Sequence, residues 1–197
     1  MIQPIRNQPF FCSWSGGKDS CLALYRALQH GERPQCLLTM MAEDGMKSRS
    51  HWLPKALIED QARSLGIPIV FRSASWEKYE SVFVSALREF REDGIATGVF
   101  GDIDVDSHRE WVRRVCALAD IAPVHPLWKQ DRRKLLDEFI TLGFKAIIVV
   151  LKDDKLGKPE FDTLPRRNPC ESRVPGDARV TYHYIPGPGW RERVASR

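Results

Sequence analysis

The sequence predicts an α/β fold of three layers: a doubly wound, mainly parallel sheet between helices, with a short irregular C-terminal segment. Three observations predict it. Short apolar runs alternate with longer amphipathic ones through residues 1–151. The connections between them are only a few residues long. Strands that alternate with helices at this spacing form βαβ units, whose right-handed crossovers place helices on both faces of a parallel sheet. The pattern then fails from Lys152, where Pro159, Pro165, Pro169, Pro175, Pro186 and Pro188 interrupt every candidate element. We therefore expect one α/β domain over 1–151 and a separate, irregular segment over 152–197.

The elements follow in order. Phe10–Trp14 reads as a strand, and Ser15–Ser20 as a glycine-containing turn. Cys21–Gln29 carries apolar residues at 21, 24, 25 and 28, the stripe of a helix packed on one side. Gln35–Met41 is a second strand, Leu53–Leu65 a helix stopped by Gly66, and Ile67–Phe71 a third strand. Tyr79–Phe90 is a helix, and Ile95–Phe100 a strand ending at Gly101. Glu110–Leu118 is helical, Ala122–His125 a short strand, Arg132–Leu142 a helix stopped by Gly143, and Ala146–Leu151 a buried strand. Val180–Ile185 is at most one more short strand. In such sheets ligands lie beyond the carboxyl ends of the strands. The loops of interest are thus Ser15–Ser20, Ala42–His51 and Gly101–His108.

Composition narrows the classes of function. With 197 residues, 43% hydrophobic and 28% charged, the chain is neither disordered nor in need of staples. The longest apolar run, Ala146–Leu151, has six residues, against about 20 for a membrane span. No apolar signal core follows the N-terminus, so secretion is not expected. The five cysteines are odd in number and none forms C-x-x-C, which argues against a disulfide framework or zinc ribbon and for a reducing cytoplasm. From Arg166 onward seven arginines face three acids, an excess that accounts for the whole net charge of +4. A neutral body with a basic tail lacks the stripe of a nucleic-acid-binding face, so direct nucleic-acid binding is not expected. Oligomeric state is not legible, and a homo-oligomer is compatible.

Chemistry is concentrated in Ser15-Gly16-Gly17-Lys18-Asp19-Ser20, between the first strand and the first helix. Two adjacent glycines let backbone N–H groups approach a phosphate, and the following helix directs its unpaired amides and positive dipole end to the same place. Ser15 and Ser20 add hydroxyls and Lys18 a charge. The string is neither G-x-x-x-x-G-K-[ST] nor G-x-G-x-x-G. Asp19 is the odd member, because a carboxylate repels phosphates. Either a divalent cation bridges the two, or Asp19 turns aside and caps the helix.

This string after a first strand resembles the PP-loop of the ATP pyrophosphatases, which have an adenine-nucleotide α-hydrolase-like fold. Further motifs are similar to the diphthine–ammonia ligase-like branch of that superfamily: Leu65-Gly66-Ile67-Pro68; Gly101-Asp102-Ile103 with His108-Arg109 and Val115-Cys116; Pro126-Leu127-Trp128; and Phe139-Ile140 before Gly143-Phe144. The resemblance covers roughly residues 9–151. It implies that ATP is cleaved between its α and β phosphates, that an acceptor carboxyl or carbonyl oxygen is adenylated, and that ammonia then displaces AMP. It implies Mg²⁺, with Asp19 as a ligand, and catalytic roles for Lys18, Asp19, Ser20, Asp102 and Arg109. Nucleotide contacts are implied at Ser15, Gly16, Gly17, Lys18, Asp19, Ser20, Gly101 and, through main-chain groups beside adenine, Met40. The acceptor is unknown; in an archaeon or eukaryote it would be diphthine on an elongation factor. The same superfamily also includes sulfur-transfer and tRNA-modifying enzymes, and a non-catalytic ATP-binding module is a further alternative.

Each remaining candidate has a plainer reading beside it. Arg109 either holds a phosphate or carboxylate, or pairs with Asp102, Asp104 or Asp106, one of which caps the next helix. Met40 is equally a core residue, and Trp128 either lines a pocket or packs in the core. His51 either meets substrate or is an exposed loop residue, and the second reading is preferred. Cys12 and Cys21 are expected to be buried, without a redox role. The tail departs from the family: Cys170-Glu171-Ser172-Arg173 stands where an acidic, amide-containing segment is usual.

Overall fold

The computed structural model describes residues 8–31, 33–150 and 181–185, the last five and 147–150 by their backbone alone. The elements β1 (Pro9–Ser13), β2 (Arg33–Met41), β3 (Ile69–Ser73), β4 (Thr97–Val99) and β5 (Ala122–Val124) form one sheet in the order β3-β2-β1-β4-β5. Every pair in it is parallel. The strands lie where the apolar runs lie because a strand covered on both faces buries successive side chains in opposite directions.

That alternation is visible in β1 and β2. Phe10, Cys12 and Leu37 join a cluster with Leu24, Ile58 and Phe139, drawn from helices α1 (Lys18–Gln29), α2 (Lys55–Leu65) and α5 (Arg132–Thr141). Phe11, Leu38 and Met40 join a second cluster with Phe83, Leu87 and Val115, drawn from α3 (Tyr79–Glu92) and α4 (Asp106–Ala117). Three helices therefore cover one face and two the other, the three-layer arrangement the sequence predicts.

Two helices begin earlier than the apolar stripes suggest. α1 opens at Lys18 and α4 at Asp106. Their first turns are polar and carry Asp19 and Asp106, which suit the positive end of a helix. The largest difference concerns β6 (Lys145–Val150), read from the sequence as a further buried strand of the α/β pattern. It stands outside the five-stranded sheet and pairs antiparallel with β7 (Thr181–Ile185). The short strand read at Val180–Ile185 supplies that partner. The rest of the segment 152–197, including Cys170-Glu171-Ser172-Arg173, lies outside the described residues.

The strand order positions the site. The chain moves from β1 to β2 and β3, then returns to the other flank of β1 at β4. Its direction reverses between β1 and β4, and the loops after both strands open at the same end of the sheet. A crevice at that reversal is where open α/β sheets bind ligands. No helix among the described residues is long and apolar enough to cross a membrane.

Candidate functional site

The turn from β1 into α1 is short and internally braced. Gly16 has φ +77°, and a Cβ there would stand 2.8 Å from Leu53 Cδ1 and 2.9 Å from Gln61 Oε1. Only glycine fits both the backbone and the space. Gln61, buried on α2, donates from Nε2 to the Gly16 carbonyl (3.1 Å) and accepts from Trp14 Nε1 (3.0 Å). Thr39 Oγ1 donates to the Trp14 carbonyl at 2.7 Å. Ser15 Oγ accepts from the Gly17 amide (3.3 Å) and lies 3.1 Å from Ser20 Oγ, while Ser20 donates to the Gly17 carbonyl (3.0 Å). The two hydroxyls thus hold the bend's own shape.

The bend leaves the start of α1 open. Gly17 is the N-cap, no side chain caps the helix, and Cys21 N to Gly17 O (3.2 Å) begins the helical ladder. The amides of Lys18, Asp19 and Ser20 precede that ladder, the arrangement that favours an anion. Lys18 Nζ pairs with Asp19 Oδ1 at 2.6 Å, so Asp19 caps nothing and instead places a carboxylate beside the ammonium.

The loop after β4 closes on this turn. A Cβ on Gly101 would lie 2.9 Å from both Asp19 C and Ser20 N, so the two backbones meet only because the residue is glycine. Next to it, burial raises the pKa of Asp102; the nearby His108 opposes the rise and the Asp19 charge adds to it. Asp102 Oδ1 is 3.6 Å from His108 Nδ1, and its Oδ2 is 3.8 Å from His125 Nε2. Asp104 and Asp106 do not cap α4: they pair with Arg132 (2.7 Å) and Lys129 (3.1 Å), tying the loop after β5 to the loop after β4.

Arg109 pairs with none of these acids. Its guanidinium lies 4.5 Å over the Trp128 ring, and its buried Nε finds no hydrogen-bond partner among the described residues. His125 stands behind it, 5% exposed at the side chain and likewise without a partner at Nε2. Burial, helped by the Arg109 and Arg113 charges, pushes the His125 pKa down to about 4 and keeps the ring neutral. Arg109, His125, Trp128 and Gln130 line one end of a cavity of about 990 Å³ that runs along β5.

On the opposite flank, the Met40 side chain is buried in the core beside α3, and its carbonyl accepts from the Arg49 amide at 2.9 Å. Arg49 covers the Trp76 ring at 4.5 Å, and its Nε is also buried without a partner. His51 is half-buried, not the exposed loop residue preferred from the sequence. Burial lowers its pKa and Lys18 adds to that, against the opposing pulls of Asp19 and the Ser50 main chain.

The structure therefore brings Ser15, Gly16, Gly17, Lys18, Asp19, Ser20, Gly101 and Asp102 around one turn. Arg109 stands on the β5 side and Met40 on the β2 side. Cys12 and Cys21 are buried as expected. Burial raises the Cys12 thiol strongly and holds Cys36 and Cys116 at about 11 and about 12, which leaves those three thiols unreactive. Gln61 and His125 were not singled out from the sequence. Gln61 carried one signal: it interrupts the stripe Ile58, Ala62 and Leu65 on a helix face that is otherwise apolar.

The donor set fits Mg²⁺ accompanied by phosphate. Among the described residues no three His, Cys, Asp or Glu side chains converge as a cage. Asp19 and Asp102 offer the one or two hard oxygen ligands that a phosphate-bound Mg²⁺ takes from protein.

Residues 10–122 match the family model described as the diphthamide synthase N-terminal domain. Over 156 residues the chain is 25% identical to a diphthine–ammonia ligase of Danio rerio, covering 68% of this chain and 61% of that protein. Over 159 residues it is 24% identical to a diphthine–ammonia ligase of Rattus norvegicus, covering 68% and 58%. The chain thus spans about three-fifths of the length of these relatives. A solved structure of a predicted tRNA methyltransferase subunit from Methanocaldococcus jannaschii covers 74% of this chain and 77% of its own, at 18% identity and a TM-score of 0.45.

Proposed function

We propose, from the premise that the chain belongs to the diphthamide synthase N-terminal domain family, that it is an ATP-dependent ligase of the amide-forming kind. An acceptor carboxyl oxygen attacks the α-phosphate of ATP, and the bond to the β-phosphate breaks to release pyrophosphate. Ammonia then attacks the activated acyl carbon, loses a proton, and expels AMP. Diphthine, which the two relatives carry in their names, is the first acceptor to try.

One observation carries this reading: the uncapped start of α1, braced by Gln61 and roofed by Gly101, lies at the reversal of strand order. Negative charge grows on the departing pyrophosphate, and fixed amides at Lys18–Ser20 with the Lys18 ammonium stabilise it as it forms. Asp19 and Asp102 would hold Mg²⁺, which when bound supplies further charge neutralisation to the phosphates. Arg109 would hold the acceptor's carboxylate, a reading supported by its guanidinium over Trp128 and an Nε with no partner among the described residues.

The test is calorimetric ATP binding followed by pyrophosphate release with ammonium and a carboxylate acceptor. Wild type binds Mg·ATP, and Lys18→Ala weakens binding by about tenfold or more, the worth of a charge-assisted hydrogen bond. Undetectable nucleotide binding by folded wild type would overturn the proposal. ATP bound yet unchanged with every acceptor would reduce the protein to a binding module.

A further inference from the structure

Between β2 and α2, residues 42–54 fold into a tongue over the sheet. It is held by Ala42 N to Lys47 O (2.8 Å), Ser48 N to Leu53 O (2.8 Å) and Leu53 N to Ser48 Oγ (3.1 Å). Two of its features stand out. Trp52 has φ +54°, a left-handed conformation that costs a bulky residue on the order of 1–3 kcal/mol. Its side chain is 60% exposed, so packing recovers little of that strain. The second feature is its neighbour: His51 Nδ1 is buried and meets no hydrogen-bond partner among the described residues.

The strained residue explains where its neighbours go. On one side of Trp52, Leu53 packs so close to Gly16 that a Cβ there would overlap it. On the other, the His51 ring stands near enough to Asp19 and Lys18 to feel both charges. The tongue therefore lays Leu53 on the bend and holds the His51 ring, steadied by the Ser50 main chain, within the field of the bend's charges, with Nδ1 itself unmatched among the described residues. A buried ring nitrogen without a partner is costly, and such groups are almost always matched in the working state. Near the open amides of α1 and the Lys18 ammonium, the group that suits the position is a phosphate, whose oxygens accept hydrogen bonds.

We propose that His51 is a further binding residue of the bend, its Nδ1–H donating a hydrogen bond to the terminal phosphates of the bound nucleotide. This rests on the reading of the bend as a polyphosphate site and adds a fourth kind of donor to the glycine amides, the helix start and Lys18. The contact lies on the pyrophosphate portion, so it strengthens as charge moves onto the leaving group.

The test titrates the full chain with Mg·ATP, with inorganic pyrophosphate and with AMP, using wild type, His51→Ala and His51→Asn. Asparagine is the chosen rescue because its amide nitrogen occupies nearly the place of Nδ1. His51→Ala should weaken ATP and pyrophosphate by about ten- to a hundredfold and leave AMP unchanged, and His51→Asn should regain most of the loss. In ¹⁵N-labelled wild type the Nδ1 signal should move when pyrophosphate is added. Equal pyrophosphate binding by wild type and His51→Ala, with that signal unmoved, overturns this inference and leaves the ligase reading standing. Equal weakening by both variants with an unmoved signal assigns His51 a structural role and overturns it too. Wild type that binds neither ATP nor pyrophosphate overturns both.

Discussion

At the scale of single residues, the bend is governed as much by its supports as by its own six residues. Gln61 satisfies two buried groups from different elements, Trp14 Nε1 and the Gly16 carbonyl. Gln61→Leu keeps the volume and strands both. The expected cost is roughly 1–3 kcal/mol for each group left without a partner. Thermal unfolding should show a lowered midpoint, and ATP titration a weaker affinity, because the Gly16 peptide is then free to turn. An unchanged midpoint would show that the amide contributes nothing. The Ser15–Ser20 string was legible from sequence because glycines and a helix start announce themselves locally. Gln61 was not: its role depends on a partner 45 positions away, and in sequence it shows only as one polar residue on an apolar stripe. His51 was passed over for a related reason. A loop histidine looks exposed until the left-handed turn at Trp52 is known.

At the scale of elements, the site exists because the loops after β2 and β4 close on one turn while the loop after β5 packs beside the second of them. The loop after β2 brings Leu53 and His51, the loop after β4 brings Gly101 and Asp102, and the loop after β5 brings His125 and Trp128. The sequence located the first two loops through the rule about strand ends; on the loop after β5 it singled out Trp128 alone, because nothing local marks His125 as facing Asp102 across two strands. Gly101 is the tightest of the junctions. In Gly101→Ala the new methyl meets main-chain atoms of Asp19 and Ser20 on a helix that cannot shift alone, since Leu22 and Leu24 are buried in the core. The first turn of α1 must tilt, so nucleotide affinity should fall further than stability does. Calorimetry on a variant whose melting temperature stays within a few degrees of wild type would show this. Retained affinity would mean that the loop after β4 yields instead.

At the scale of the whole molecule, the layers follow from composition by position. The core strands are apolar on both faces and each helix on one, and a short βαβ connection leaves few other arrangements. That logic is local in sequence, so it was readable for β1 through β5. It failed for β6, because an apolar run predicts a strand without predicting its neighbour. The partner β7 begins 31 positions after β6 ends, and antiparallel pairing across such a gap leaves no periodic trace. The boundary read near residue 152 therefore separates two strands of one ladder. A chain cut after Leu151 would keep the five-stranded sheet and the bend but lose every β6–β7 hydrogen bond, leaving an edge of consecutive Ile147, Ile148, Val149 and Val150 backbone groups unpaired. Such an edge recruits other chains. The truncated protein should elute from a sizing column as larger species and melt lower than the full chain, the more so because β7 packs against α1, yet bind ATP when monomeric, since every residue of the bend remains in it. A truncated chain that stays monomeric with an unchanged melt would show that β7 is dispensable and that 1–151 is a self-sufficient domain.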